Sequence, residues 1–355
     1  MGIYLNEVEL NNFRLFDSKK LKLNRYINVI IGSNATGKTT ILESVNVLGK
    51  CKSFRTNIDK EMLKKGKDFY FIKGNFKNED KNIDVVVSFS EIGKKVSVNG
   101  NILKKQSDYI GTINVVSFSP NDINIVRGDS RIKRNFLNQN ISMLNKNYLE
   151  NIIMYNKILK ERNELLKNPQ FYANTKQLLN IYTDKLINVA KQIVEERKQF
   201  IESLSKKANI NNIGITNNKE RLLVKYIPSL DINELDKIRN SKKDEEAQST
   251  LYGPHKDTFE VFVNENEVSK YASQGQQKTA AISMKLAVTD ILKEENKDVI
   301  VVLDDLFGEL DVERQEHLME NLKKKGQIFI STTDIRVLSE KVIKDSKIIK
   351  MDEGD

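Results

Sequence analysis

The chain of 355 residues has few cysteines and no long apolar run. Cys51 is its one cysteine, which excludes an internal disulfide and suits the reducing cytoplasm. No stretch approaches the ~18–20 apolar residues of a membrane-spanning helix. The amino-terminus also lacks the charged start and apolar stretch of a secretion signal. We therefore expect a cytoplasmic protein with no membrane partner.

Positive charge is in excess, with 58 Lys and Arg against 49 Asp and Glu and a net charge of +9. This excess favours an anionic partner such as nucleic acid. It also fits a composition that is rich in Lys, Asn and Ile throughout, so charge alone does not decide the partner. The length allows two domains or one large two-lobed domain.

The strongest motif follows a short apolar strand that ends at residue 31. It fits the pattern G-x-x-x-x-G-K-[ST] at every fixed position, namely Gly32, Gly37, Lys38 and Thr39. The glycines let successive backbone N–H groups face phosphate oxygens, and the start of the following helix adds favourable potential for an anion.

In such a loop, we expect Lys38 to reach the β- and γ-phosphates and the Thr39 hydroxyl to bind Mg²⁺. The motif therefore predicts binding of a nucleoside triphosphate with Mg²⁺. The loop residues expected to contact the nucleotide are Gly32, Ser33, Asn34, Ala35, Thr36, Gly37, Lys38, Thr39 and Thr40.

Hydrophobic periodicity predicts an α/β fold with a long helical segment between residues 121 and 204. The chain is expected to divide into an amino-terminal part at 1–119, a mainly helical part at 120–248 and a carboxyl-terminal part at 249–355. The charged stretch Asn240–Glu246 is expected to be mobile. Strands are predicted at 3–10, 20–24, 27–31, 69–76, 83–90, 94–98, 113–118, 222–226, 259–263, 299–303, 327–331 and 347–351, and further helices at 38–48, 274–293 and 312–324.

A second apolar strand, Val299–Leu303, ends in two acidic residues. A strand that ends in aspartate is a common turn signal, but after a phosphate loop it indicates a Walker B motif. We expect Asp304 to hold Mg²⁺ through its water shell and Asp305 to orient or deprotonate the attacking water. Lys38, Asp304 and Asp305 are thus the candidate catalytic residues.

Two further stretches indicate the class of ATPase. The sequence S-Q-G-Q-Q begins at Ser273, and Asp311 follows Walker B in the sequence G-E-L-D. Ser273 alone is typical of a polar helix cap. The order of phosphate loop, S-x-G-Q, Walker B and L-D resembles the ABC-type ATPases, in which the signature of one subunit caps the γ-phosphate held by the other. The resemblance implies an ATP-dependent homodimer and nucleotide contacts from Ser273, Gln274, Gly275, Gln276 and Asp311.

Within this superfamily, the chain resembles the RecF family of bacterial recombination mediators over nearly its whole length. The fold implied is an ABC-type, SMC-like ATPase head with an inserted helical lobe. Arg14 would lie near the nucleotide base. The segments that carry the resemblance are 10–14, 52–56, 118–122, 126–128, 133–137, 161–167, 253–257, 272–279, 303–305 and 332–334.

This resemblance implies a function in DNA replication, repair and recombination. The ATP-bound dimer would bind duplex DNA near single-strand junctions, with RecR and RecO as partners in RecA loading at gaps. ATP hydrolysis would be slow and stimulated by DNA. The family usually has glycine where Ala35 stands, so the loop has one residue less free to adopt a positive φ, and the turnover rate stays open.

An SMC-type chromosome-organising or break-repair protein would need hundreds of heptad residues between the phosphate loop and the signature, where a compact lobe is the simpler interpretation. Two other classes share parts of the pattern. A transporter's ATPase subunit normally carries a switch histidine where Thr333 stands. An SMC-like ATPase of a phage-defence system would need an appended effector, for which a chain that ends at Asp355 leaves no room. Both stay as alternatives with less support from the residues.

Five basic residues are candidate contacts to DNA phosphates. Arg55 has a second interpretation, as an arginine that senses nucleotide or DNA at the dimer interface. His255 is expected to be a structural, hydrogen-bonding residue. The five candidates are Lys52, Arg55, Arg131, Lys133 and Arg134.

Overall fold

The structure is a computed structural model that describes residues 2–78, 81–172, 174–240, 242–310 and 312–351. Internal contacts separate two compact units. The first unit comprises the described residues of 1–122, 211–219 and 282–355. The second unit comprises those of 123–210 and 220–281.

This division differs from the expected three parts at residues 211–219, which belong to the first unit, and again at residues 249–281. The first expected boundary, at 119, lies close to the observed end of the first segment at Asp122. Residues 249–281, which were expected to belong to the ATPase part, pack instead with the helical unit. The signature stretch thus lies in the second unit and the phosphate loop in the first.

In chain order the strands are β1 (Tyr4–Phe13), β2 (Phe16–Lys22), β3 (Ile27–Ile31), β4 (Phe69–Lys77), β5 (Asn82–Ser90), β6 (Gly93–Val98), β7 (Asn101–Ile102), β8 (Asn114–Phe118), β9 (Leu222–Ile227), β10 (Thr258–Val263), β11 (Asn266–Glu267), β12 (Val299–Asp304), β13 (Gly326–Thr332) and β14 (Ser346–Lys350). The α-helices are α1 (Lys38–Lys50), α2 (Ile123–Arg127), α3 (Ser130–Leu144), α4 (Lys146–Lys167), α5 (Thr175–Ile215), α6 (Lys242–Glu246), α7 (Val268–Tyr271), α8 (Gln274–Glu294), α9 (Val312–Lys323) and α10 (Glu340–Lys344).

A parallel sheet in the first unit has the strand order β14-β3-β13-β12-β8. Its inner strands are runs of Ile, Val, Leu and Phe with no polar alternation, which is typical of strands covered on both faces. Because the strands are parallel, their carboxyl ends meet at one edge, where α/β proteins bind ligands. The two predicted motif strands, β3 and β12, are separated there by β13.

An antiparallel sheet, ordered β2-β1-β4-β5-β6-β7, is the other layer of this unit. Helix α1 packs against strands of both sheets, so its residues are buried almost all round. Gly49 allows this close packing, because a Cβ there would lie 2.2 Å from Val115 Cγ2. The helix that leaves the phosphate loop is thus held between two sheets.

The second unit combines helices α2 to α5 with a small antiparallel sheet of order β11-β10-β9. The buried Arg197 of this unit is paired: its Nη1 lies 3.1 Å from Asp257 Oδ2 and donates to Pro254 O at 2.7 Å. His255 Nδ1 lies 2.7 Å from the Tyr155 hydroxyl, and its Nε2 lies 2.9 Å from Thr250 O. His255 thus makes the hydrogen bonds expected of a structural residue.

Three predictions from the periodicity were wrong in detail. The strand expected at 20–24 begins earlier, at Phe16, because the turn after β1 is only two residues long. Helix α5 continues past 204 to Ile215. Residues 242–246 of the stretch expected to be mobile form α6, and Asp244 there is buried with its Oδ2 2.8 Å from Arg162 Nη1.

No helix in the described ranges combines the length and the apolar character that crossing a bilayer requires.

Candidate nucleotide-binding site

The phosphate loop joins the carboxyl end of β3 to the start of α1, as predicted. Gly37, the residue that caps α1, has φ 103° and has no side chain to bond the first N–H groups of the helix. A Cβ at this position would also lie 2.5 Å from Phe16 Cζ, so only glycine fits. The first turn of α1 therefore keeps its backbone donors available for an anion.

Lys38 is 6% exposed, and its ammonium group bends back over the loop. Its Nζ donates to Gly32 O at 2.7 Å and to Ser33 O at 2.6 Å. The Thr36 hydroxyl donates to the same Ser33 carbonyl at 2.9 Å. These acceptors are neutral, so the bonds hold the cation in place without cancelling its charge.

The Walker B carboxylate lies beside the loop across β13. Asp304 Oδ1 accepts from the Thr39 hydroxyl at 2.9 Å and from the Ser331 hydroxyl at 2.8 Å. The parallel register places Ser331 between Ile30 of β3 and Asp304 of β12. Burial raises the pKa of Asp304 above its ordinary value, although both hydroxyls act in the opposite direction.

Asp305 has a different environment from its neighbour. Its side chain is exposed, its φ is 51°, and its N–H donates to the Ser331 hydroxyl at 3.0 Å. A positive φ in a residue other than glycine is strained, and such strain concentrates at functional sites. The turn after β12 thus buries one carboxylate and leaves the next one facing solvent.

The residues present fit a Mg²⁺ ion. Thr39 Oγ1 and Asp304 Oδ1 are hard oxygen ligands 2.9 Å apart at the loop. Within the part of the chain that the structure describes, no group of three or more His, Cys, Asp or Glu side chains could hold a metal. A divalent ion here would therefore take its remaining ligands from phosphate oxygens and water, which is how Mg²⁺ is usually bound at such sites.

Arg14 lies in the turn between β1 and β2, with φ 56°. Its guanidinium is bound to Glu43 through two hydrogen bonds, Nε to Oε2 at 2.9 Å and Nη2 to Oε1 at 2.6 Å. Arg55 Nη1 also lies 3.6 Å from Glu43 Oε2. Sequence reasoning missed Glu43 and Ser331. A glutamate within an otherwise apolar stretch of α1 is the signal that could have identified Glu43.

The signature residues form the start of α8 in the second unit. Ser273 and Gln276 cap each other: the Ser273 N–H donates to Gln276 Oε1 at 3.0 Å, and the Gln276 N–H to Ser273 Oγ at 3.3 Å. Gln276 Nε2 donates to Glu220 at 3.0 Å. Ser273 and Gln274 are exposed. Asp311, the other residue expected here, lies outside the described residues.

The five DNA candidates fall into two groups. Lys52 and Arg131 are exposed, and Arg55 is 46% exposed beside Glu43. Lys133 lies over the ring of Phe259, and its burial lowers the pKa of its ammonium group. Arg134 donates to Asp257 O at 3.0 Å. The helical unit thus uses Lys133 and Arg134 in its own packing.

The parallel sheet, the phosphate loop and the paired Walker B carboxylates define an ABC-type, SMC-like ATPase fold. The sequence model of the RecF/RecN/SMC N-terminal domain family matches residues 4–354. The chain belongs to this family and, within it, to RecF, as its relatives establish.

Two of these relatives are named DNA replication and repair protein RecF. The protein from Halalkalibacterium halodurans is 38% identical over 365 residues, which cover 99% of this chain and 98% of that protein. The Bacillus subtilis protein is 36% identical over 366 residues, with 99% of each chain covered.

Two solved structures show the extent of the structural likeness. The structure described as the recombination mediator protein RecF-ATP in the RecFOR pathway has a TM-score of 0.89 at 30% identity, over 95% of this chain and 94% of that one. The Smc head domain of Pyrococcus furiosus, bound to the C-terminal domain of ScpA, has a TM-score of 0.54 at 13% identity, over 98% of this chain and 93% of that one. The second likeness supports the fold alone.

Proposed function

We propose that this chain is an ATP-dependent recombination mediator that dimerises on ATP and binds duplex DNA near junctions with single strands. It acts in the cytoplasm with RecR and RecO to promote RecA loading at gaps. Its hydrolysis of ATP is slow, is stimulated by DNA and serves as a conformational switch. The relatives' name and the RecFOR pathway of the similar structure support this role.

One observation carries the ATP-binding part of the proposal. Lys38, Thr39 and Asp304 converge at the carboxyl edge of the parallel sheet, although they come from opposite ends of the chain. Lys38 holds its charge against neutral carbonyls, which a triphosphate can replace as a stronger, charged acceptor. When bound, Mg²⁺ supplies positive charge that offsets the charge of the phosphates.

Asp305 is the candidate for orienting the attacking water. It is exposed at the end of β12, and the hydrogen bond from its N–H to Ser331 fixes its backbone. Asp304 is buried and bound to two hydroxyls, which suits a role in holding Mg²⁺. The two adjacent carboxylates thus have separate tasks, because their environments differ.

The exposed start of α8 supports nucleotide capping in trans. Ser273 and Gln276 hold each other in a capping box, so the helix start is already ordered. Its orphan N–H groups and the Ser273 hydroxyl can receive the γ-phosphate bound by a second copy. Lys52 and Arg131 are exposed cations that are available to DNA phosphates.

The test is light scattering of the pure protein with and without ATP and Mg²⁺, beside two variants. Lys38→Ala removes the cation of the phosphate loop, and Ser273→Arg places a bulky cation at the exposed start of α8. We expect ATP to convert monomers to dimers in the wild type alone. Ser273→Arg should still bind nucleotide, because its phosphate loop is intact.

A protein that stays monomeric at saturating ATP would contradict the clamp mechanism. If the dimer forms, its affinity for gapped DNA should fall steeply with salt, because binding releases counterions from the phosphates. DNA binding that does not depend on ATP would contradict the proposed switch.

A further inference from the structure

One buried carboxylate joins three segments of the chain beside the phosphate loop. Glu43 lies in α1, and its side chain is wholly buried. It accepts two hydrogen bonds from Arg14, at 2.9 and 2.6 Å, and a third from the Ser53 hydroxyl. Arg55 Nη1 stands 3.6 Å away.

The Arg14 side is rigid. Beyond the two bonds to Glu43, Arg14 Nη1 donates to Glu61 O at 2.6 Å, and its N–H donates to Met62 O at 2.8 Å. The next two residues, Leu15 and Phe16, place their side chains where a Cβ of Gly37 in the phosphate loop would stand. Arg14 is therefore fixed in a turn that itself packs on the loop.

The Arg55 side is loose. Arg55 is 46% exposed, and a separation of 3.6 Å is an ion pair without a short hydrogen bond. Its backbone is nevertheless held, because Ser53 Oγ accepts the N–H groups of Arg55 at 2.8 Å and Thr56 at 3.2 Å.

The charges of this cluster do not balance. Two guanidinium groups face one carboxylate, and Arg14 engages both oxygens of Glu43 in short bonds. Arg55 is then the more weakly held cation of the cluster. An anion with several charged oxygens would compete well for it, because charge-assisted bonds to phosphate are strong.

We propose that Glu43 is a positioning residue of the nucleotide site. It fixes Arg14 in the turn that packs on the phosphate loop, and it forms a looser ion pair with Arg55 at 3.6 Å. The Ser53 hydroxyl donates to Glu43 and accepts two backbone N–H groups, so Glu43 also helps to position residues 53–56. A change at Glu43 on nucleotide binding would therefore also affect this segment. This inference rests on the proposed binding of ATP.

The test is the affinity for a fluorescent ATP analogue with Mg²⁺ in Glu43→Gln, which keeps the size of the side chain and removes its charge. We expect affinity to fall about tenfold, since an arginine held by a charge-assisted pair is lost from its position. The matched control is Asp290→Asn. It breaks the ion pair with Lys325 (2.7 Å) in the same unit, at the amino end of the parallel sheet, and should leave affinity unchanged.

A double-mutant cycle separates positioning from general stability. Arg14→Ala should weaken binding about tenfold in the wild type but less than about threefold in Glu43→Gln, because the two residues act as one unit. Equal affinity of Glu43→Gln and wild type, or losses that multiply independently, would overturn the proposal. Melting temperatures without nucleotide show whether each variant is folded.

If Glu43→Gln does not fold, Arg14→Lys tests the pair from its other side. Lysine keeps the charge but lacks the planar fork that engages both carboxylate oxygens, so affinity should still fall. Unchanged affinity in this variant would overturn the inference alone. Wild-type protein that binds no nucleotide would overturn the proposed function as well.

Discussion

Two buried cations, one in each unit, have different partners. In the second unit, Arg197 is 1% exposed, and it meets the carboxylate of Asp257 as well as the Tyr148 hydroxyl at 3.0 Å. Arg162 likewise meets the buried Asp244. In the first unit, the buried Lys38 is held by two carbonyls that carry no formal charge.

This difference separates architecture from function. A buried cation with a carboxylate partner is neutralised within the protein, and breaking the pair leaves an uncompensated charge. A buried cation held only by neutral acceptors retains its attraction for an anion from outside. The paired buried charges of the second unit therefore stabilise that unit, whereas Lys38 remains available to bind an anionic ligand.

The largest effect is expected from breaking the pair in the second unit. Arg197→Met leaves Asp257 buried without its counter-charge and should lower the free energy of unfolding by about 3–5 kcal/mol. Urea denaturation measures this loss. As a control, Lys206→Met removes an exposed pair with Glu202 and should not shift the unfolding midpoint. An equally small effect of Arg197→Met would break the comparison.

Lys38→Met should have the opposite profile. Affinity for ATP should fall about 100-fold, or about 2.7 kcal/mol, because a buried charge-assisted contact to phosphate is lost. The free energy of unfolding without nucleotide should change by less than about 1 kcal/mol, since only bonds to neutral carbonyls disappear. Calorimetric titration and urea denaturation measure the two quantities. A large fall in the free energy of unfolding would show that Lys38 mainly stabilises the fold.

Asp304→Asn sharpens the comparison through pH. The pKa of Asp304 is raised in the folded protein by burial, so its ionisation disfavours folding. Without nucleotide or Mg²⁺, the variant should be more stable than the wild type at pH 7. This advantage should shrink as pH falls through the raised pKa and vanish below the ordinary pKa of an aspartate.

Urea denaturation of both proteins between pH 3 and 8 tests this effect as a difference, in which other titrating groups cancel. The variant should also lose any stabilisation of the wild type by Mg²⁺ with ATP. A wild type that is more stable than Asp304→Asn at neutral pH would show that the hydroxyl bonds outweigh burial.

The smallest effect is expected at Ala35, which has φ 67° in the phosphate loop. Alanine in the left-handed region costs about 1 kcal/mol, of which the greater freedom of glycine in the unfolded chain cancels part. Ala35→Gly should thus raise the free energy of unfolding by about 0.5 kcal/mol, which thermal melting can detect. Lower stability of the variant would mean that the larger conformational entropy that glycine loses on folding dominates.

Much of this fold could be predicted because its signals are local. The strands β3 and β12 are uninterrupted apolar runs, and the glycines and Lys38 stand at spacings that only one kind of loop needs. The signals for the starts of α3 and α4 within the helical segment are also local, although hydrophobic periodicity alone did not reveal them. Asp129 and Asn145 cap α3 and α4 through their side chains.

The parts that could not be predicted depend on contacts across long distances in the chain. Ser331 is an ordinary residue in an apolar strand until β13 is placed between β3 and β12, where it bonds to Asp304. The contacts of Glu43 can be recognised only when the turn at Arg14 and the segment at Ser53 fold against α1. Lys133 resembles a surface cation in sequence but is buried over an aromatic ring.

The sequence by itself determined the phosphate loop, the Walker B strand and the class of ATPase, because each rests on residue types at short, fixed spacings. Only the tertiary structure decided which charges are neutralised and which are kept for a ligand. The physical reason is that the energy of a buried charge depends on its distance to partners elsewhere in the chain. The motif marks Lys38 in the sequence, but only the folded contacts show that its acceptors are neutral carbonyls and that Arg197 has a carboxylate partner.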